Sequence, residues 1–386
     1  MKVEQIYELT NEITKEVLGK EGLVSEDLSN LVSVGDEVFN ANAMDNYVRA
    51  LVDKVGKIVF KMDKFESLGP NIMMESWEWG AVKQKVRAQI PEAEANEAWE
   101  LEDGAVYEQD LFTKPEVSVK FFNDRVTFEV PMSYTDEQVK SAFTSVDQMN
   151  GFISMIETSI ENTLTLKIEG LTTRTINNMI AETLVDEGME TVTKAKAKSS
   201  NKVINLLYLY NKEMGTTLTV DKAILDKEFL RYASRAIKTW TKRMCKATTR
   251  FNIGKMPNQT KPSKLHLVLL EDFASGAEAY LESDTFHNDF VKLPKAETVT
   301  YWQGEGINYS FDEISGIKVK TSNNNTVDFN GILGIAFDHD ACGITNPNRH
   351  TTTHRNNKAE FTNYWYKYMA GYFNDFNENF IVFVVA

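Results

Sequence analysis

From Ser145 to Gly188 the chain follows one unbroken amphipathic pattern, with no proline and no cluster of turn residues. Apolar residues recur at Met149, Phe152, Ile153, Ile156, Ile160, Leu164, Ile168, Leu171, Met179, Ile180 and Leu184. Steps of three and four mark one face of an α-helix. Ser145 stands three residues before Gln148, a capping-box spacing that starts such a helix, and Gly188 is placed to stop it. At 1.5 Å per residue the rod is roughly 60 Å long, with Gly170 as its natural point of bending. Helices in globular proteins are far shorter on average. A chain that spends so much length on one spine is building something larger than itself.

A chain of 386 residues has room for two or three domains, and an apolar content of 42% supplies real cores. The net charge of −14 argues against a general nucleic-acid binder acting through its whole surface. Two cysteines, Cys245 and Cys342, cannot make a disulfide framework and fit a reducing cytosol. The opening MKVEQIYELTNEITKEVLG is a polar amphipathic helix pattern without the apolar core of a signal peptide. No apolar run approaches the roughly 20 residues that cross a bilayer. Soluble synthesis in the cytoplasm, with no membrane partner, is therefore expected. Five histidines, four of them after residue 286, leave little material for acid–base chemistry.

Met1 to Ser29 reads as a short helix with a polar link, and Asp45 to Phe60 as a second helix. Between Glu66 and Asp110 eleven acids stand against Lys83, Lys85 and Arg87, a net of −8. Within that stretch Val82, Gln84, Val86, Ala88 and Ile90 alternate with Lys83, Lys85, Arg87 and Gln89, a strand with one basic edge. Trp77, Trp79 and Trp99 lie nearby. The segment reads as an extended two-stranded arm too thin to bury its own aromatics. Val117–Phe122 and Arg125–Val130 read as strands joined in a hairpin through Asn123-Asp124.

From Lys194 to Lys261 the charge reverses, with sixteen Lys and Arg against Glu213, Asp221, Asp226 and Glu228, a net of +12. Helices fit Asn201–Met214 and Asp221–Arg250. Arg231, Arg235, Lys238, Lys242, Lys246 and Arg250 recur every three or four residues and form a stripe. That stripe is either a solvated face or a surface for anions, nucleic-acid phosphates or the acidic segment of a neighbouring copy. His266–Leu270 and Ile332–Phe337 read as buried strands. The closing FIVFVVA is too apolar for a sheet edge, and its expected partner is the sheet begun at Val117. The middle section would then be an insertion between two halves of one domain.

Asp338, His339, Asp340, Cys342, His350 and His354 crowd into seventeen residues. On a helix the four-residue spacing of His350 and His354 would serve a metal, but Pro347 and the Thr351–Thr353 run favour a polar surface loop. Gly304-x-Gly306 lacks the third glycine of a dinucleotide fingerprint, and no phosphate-binding loop, nucleophile elbow or H-E-x-x-H is present. No catalytic, cofactor or metal site is expected. A metal-dependent enzyme built on the histidines is the rival from another class.

The order of parts, from arm through extended loop and spine helix to a terminal strand, resembles the major capsid proteins of tailed bacteriophages with the HK-97-like fold. More narrowly it resembles the phi-29-like branch. The resemblance rests on Val52–Val59 (VDKVGKIV), Ser76–Gly80 (SWEWG), Ser133–Ile160, Gly334–Ile344 (GIAFDHDACGI) and the aromatic Asn363–Tyr366. It covers Val52 to Ala386, although Met189–Thr260 matches only in general organisation. What it implies is an α+β shell subunit with an N-terminal arm and helix over residues 1–60 and an extended loop over 61–112. A peripheral domain over 113–187 carries the spine, an axial domain spans 188–343, and residues 344–386 return to the peripheral domain. Such a subunit self-assembles into hexamers and pentamers of an icosahedral shell around double-stranded DNA, with portal, scaffolding and decoration proteins as further partners. An encapsulin-like nanocompartment shell is the alternative of the same fold. Intersubunit contacts are expected at Trp77, Trp79, Lys83, Lys85, Arg87, Trp99, Arg231, Arg235, Lys238 and Lys242.

Overall fold

The computed structural model describes residues 3–19, 24–25, 29–40, 46–47, 50, 70–74, 83–88, 90, 93, 99, 102–106, 114, 116–137, 146–284, 296–303, 314–345 and 348–386. Helices α1 (Val3–Leu18) and α2 (Leu31–Asn40) come first. Of the expected Asp45–Phe60 helix only Asn46, Tyr47 and Ala50 are described, all helical. Strands β1 (Met73–Met74), β2 (Lys83–Ala88), β3 (Val117–Phe122) and β4 (Arg125–Thr135) follow.

The rod is present as α3 (Val146–Asp186), whose 41 residues run helically through Gly170 and rise about 60 Å. The proposed cap Ser145 lies outside the described residues. At the other end Gly188 adopts φ +63°, and the N–H groups of Gly188 and Met189 donate to the carbonyls of Val185 and Leu184 at 3.0 and 2.8 Å. A left-handed glycine of this kind closes helices. Along the rod Ile160, Leu164 and Ile168 are buried, then Leu171, Ile176, Met179, Ile180 and Leu184. Thr172, Thr175 and Thr183 are buried with them, and each hydroxyl donates to the carbonyl four residues back at 2.7–2.9 Å. That bond removes the cost of hiding a hydroxyl from water.

Beyond the rod come α4 (Val192–Ala195), β5 (Val203–Asn205), α5 (Leu206–Met214), α6 (Val220–Ala223), α7 (Lys227–Met244), β6 (Leu265–Leu270), α8 (Glu271–Asp284) and β7 (Glu297–Val299). The chain ends with β8 (Ile317–Lys320), β9 (Thr326–Phe329), β10 (Ile332–Asp338), β11 (Cys342–Thr345), β12 (Asn348–Asn356), β13 (Phe361–Asn374) and β14 (Phe380–Val384). Two sheets organise the molecule. In the first, β13 lies between β4 on one side and β11 and β12 on the other, with β1 parallel to β11. The second has the order β5-β14-β10-β6-β7, parallel at its two margins and antiparallel between. The rod packs against β11 and β13 of the first sheet and β14 of the second, so it ties the two together.

Several expectations are corrected. The terminal strand does not return to the sheet begun at Val117. All five residues of β14 are buried, and β14 is paired on both edges, antiparallel to β10 and parallel to β5. A strand apolar on both faces needs such an interior slot. The strand that returns to β4 is the aromatic β13, with Phe361 opposite Thr135 and Gly371 opposite Arg125. Its alternate tyrosines Tyr364, Tyr366 and Tyr368 are buried.

Nor do β3 and β4 form a hairpin. Asn123-Asp124 is a corner where the chain leaves one sheet for another, because β3 pairs with β2 and β4 with β13. The Tyr372 N–H donates to the Asp124 carbonyl at 3.1 Å and pins that corner. The basic section also differs: Val203–Asn205 is strand, and Asn205 then caps α5 by accepting from the Tyr208 N–H at 3.1 Å. Asp226 caps α7 by accepting from the Phe229 N–H at 2.8 Å, which separates it from α6. The helix stops at Met244, so Lys246 and Arg250 lie in the turn beyond it and outside the helical stripe.

His350 and His354 lie on strand β12, not on a loop. Four residues of strand set them about 13 Å apart, too far to share one ion with ligand bonds of about 2 Å. Among the described residues no group of three or more His, Cys, Asp or Glu is arranged to hold a metal ion.

Candidate assembly interface

The described strands of the arm, β2 and β3, form an antiparallel ribbon with Lys83 opposite Phe122, Lys85 opposite Lys120 and Ala88 opposite Val117. Side chains alternate across a strand, so one face carries Lys83, Lys85, Arg87, Lys120 and Phe122. The other face carries Gln84, Val86, Val117, Val119 and Phe121. The basic face turns inward. Val86 is 59% exposed and Phe121 64%, with Val117, Val119 and Ile90 also exposed. This reverses the usual half-covered sheet, which hides its apolar side.

What holds the ribbon this way is a charged cluster at the junction of the two sheets. After the rod has carried it from β4 to β5, the chain crosses between them twice more, from β10 to β11 and from β13 to β14. These two crossings lie side by side: the Asp375 N–H donates to the Ala341 carbonyl at 2.7 Å, and the Asp338 N–H to the Asn379 carbonyl at 3.0 Å. The second of them carries two carboxylates, Asp375 and Glu378, whose side chains are 3% and 5% exposed.

Lys85 donates to Asp375 at 2.8 Å, to Glu378, and to the Asp340 carbonyl at 3.3 Å. Arg87 binds Glu378 at 2.5 Å and the Asn377 carbonyl at 3.2 Å, and Lys120 binds Asp375 at 3.1 Å. Lys83 lies 3.9 Å over the Phe373 ring, a cation–π contact. Buried carboxylates persist only with such compensation. Burial pushes the Asp375 carboxyl up, but the Lys85 hydrogen bond and the Lys85 and Lys120 charges outweigh it and hold it below its usual range. Burial, then the Lys85 charge beside it, holds the Lys83 ammonium below its ordinary value.

The expected contact residues thus fall into three groups. Lys83, Lys85 and Arg87 are engaged by their own chain, and the exposed residues of β2 are their alternate neighbours. Trp99 is 87% exposed, whereas Trp77 and Trp79 lie outside the described residues. Arg231, Arg235, Lys238 and Lys242 are exposed on the outer side of α7, whose inner side buries Phe229, Leu230, Ala233 and Ile237. Arg235 pairs with Glu213 at 3.2 Å and Arg231 with Glu228 at 3.6 Å. Val119, Phe121, Asp375 and Glu378 were not singled out from the sequence. The Val117–Phe122 alternation was a signal for the first two. The acids sit in a turn that carries none.

No curated protein sequence matches the chain. Among solved structures it is similar to a chain in the capsid of Staphylococcus phage Andhra, at 11% identity over 84% of both chains and a TM-score of 0.48. It is similar also to one in the capsid of Cyanophage P-SCSP1u, at 13% identity over 83% of this chain and 88% of that one, TM-score 0.44. A third, from the mature capsid of bacteriophage PhiM1, shows 9% identity over 81% and 85%, TM-score 0.39. The family model of the Phi29-like phage major capsid protein matches residues 10–384. That span contains the ribbon, the rod and both sheets, and by it the chain belongs to the Phi29-like phage major capsid proteins.

Proposed function

We propose that this major capsid protein assembles into hexamers and pentamers of an icosahedral shell with HK-97-like architecture, enclosing double-stranded DNA. In this reading residues 1–60 are the N-terminal arm and helix, 61–112 the extended loop, 113–187 the peripheral domain and 188–343 the axial domain. Residues 344–379 return to the peripheral domain, and β14 completes the axial sheet. Portal, scaffolding and decoration proteins are the further partners, and the virion capsid is the location after synthesis in the bacterial cytoplasm.

The observation that carries the reading is the inverted ribbon. Its apolar face is left to water by its own subunit, while the opposite face is fixed by ion pairs. Covering such a face with a neighbour contributes roughly 1 kcal/mol for each half-exposed side chain removed from water. Small contacts of that size hold a shell when symmetry repeats them around every capsomer. Labelling of Val119→Cys with a maleimide tests this. The thiol should react at least tenfold more slowly in particles than in unassembled chain, and equal rates would remove the ribbon from the interface.

A further inference from the structure

We infer that the outer face of α7 and the turn beyond it receive the acidic stretch of the extended loop, residues 92–110, from a neighbouring copy. The inference rests on the shell reading above and names the partner surface. Arg231 and Arg235 have acids of their own chain, but among the described residues no acid lies within ion-pair distance of Lys238, Lys242, Lys246 or Arg250. All four are exposed. The face therefore carries a surplus of positive charge that its own subunit leaves uncompensated.

The same chain supplies the complement. Between Gln89 and Phe112 there are eight acids and no Lys or Arg. Glu102 and Asp103 are exposed. Every copy therefore contributes one acidic stretch and one basic face, in the equal numbers that a closed shell needs. Trp99 lies among these acids with its indole exposed, and the basic section already stacks guanidinium on aromatics, Arg243 over Trp240 at 4.5 Å and Arg235 over Tyr232 at 5.4 Å. Charge complementarity of this kind sets partner register and speeds encounter.

Charge exchange in the full-length protein tests the proposal. Lys238→Glu with Lys242→Glu should slow shell formation, followed by light scattering at about 0.1 M salt, roughly tenfold or more. Glu100→Lys with Glu102→Lys should do the same, and the four changes together should restore at least half the wild-type rate. Lys238→Gln with Lys242→Gln, checked for an unchanged thermal midpoint, separates lost charge from lost folding. Wild-type assembly by the Lys→Glu pair, or impairment that the exchanged acids do not relieve, would overturn the proposal. Loss of duplex DNA retention with normal shell formation would assign the face to phosphates instead. Each of these results presupposes wild-type particles, so none touches the shell reading, which falls only if the wild-type chain forms none.

Discussion

Lys85, in the arm, and Asp375, in the crossing between the two sheets, meet at 2.8 Å across 290 residues of chain. The ion pair fixes which side of the ribbon faces the body and so which side faces outward. Asp375 is almost fully buried, and Lys85 is its nearest cation. Lys85→Met should therefore lower the stability of the unassembled chain by about 2 kcal/mol. That is below the 3–5 kcal/mol of a fully buried broken pair, because Lys85 retains some exposure. Urea denaturation of the variant measures it, and an unchanged midpoint would show that the cluster does not hold the ribbon.

The same carboxyl predicts an acid dependence. In the folded chain Asp375 titrates below its ordinary value, so the unfolded chain takes up the proton first as pH falls. Its stabilisation is complete above the ordinary aspartate range near pH 4, and is lost as pH drops through the lower, folded value. Asp375→Asn should flatten the fall in thermal midpoint below about pH 4 relative to wild type. A variant that loses stability in acid just as steeply would place the acid-sensitive group elsewhere.

Phe121 and Phe383 should respond oppositely to truncation. Phe383 is wholly buried in β14, and Phe383→Ala should cost the chain about 3–5 kcal/mol. Phe121→Ser changes an exposed side chain and should leave chain stability within about 0.5 kcal/mol. Its effect should appear in assembly, as a rise of roughly tenfold in the concentration at which shells form. Denaturation and light scattering on both variants read the two effects separately.

Gly331 adopts φ +94°, and a Cβ there would meet the Val385 carbonyl oxygen at 2.2 Å. Gly331→Ala should destabilise by more than about 1 kcal/mol, since both the backbone conformation and the space exclude a side chain. The reduced thermal midpoint of the variant checks this.

Parts of this architecture are legible in the sequence because their signals are local. The period of α3 and the glycine that ends it lie within one stretch of chain, as do the apolar runs of β6 and β10. The terminal strand shows a local signal of another kind: residues apolar on both faces must be interior. Its partners are a different matter, because β5 and β10, the strands between which it inserts, come from separate earlier parts of the chain and flank it only in the folded second sheet. The ribbon shows the limit most clearly. Alternation from Lys83 to Ala88 marks a strand, but the usual expectation that its apolar side faces the body is reversed here. Asp375 and Glu378 decide that, and they belong to a turn nearly 300 residues away. The basic stripe is likewise visible as a spacing, whereas the end of α7 at Met244 is not, because no glycine or proline stands between Cys245 and Ile253 to mark it.

Electron microscopy of the purified wild-type chain tests the central claim most directly. Closed shells of uniform diameter are the predicted result. A solitary monomer at every concentration and salt tried, with Val119 and Phe121 already shielded from modification, would contradict it.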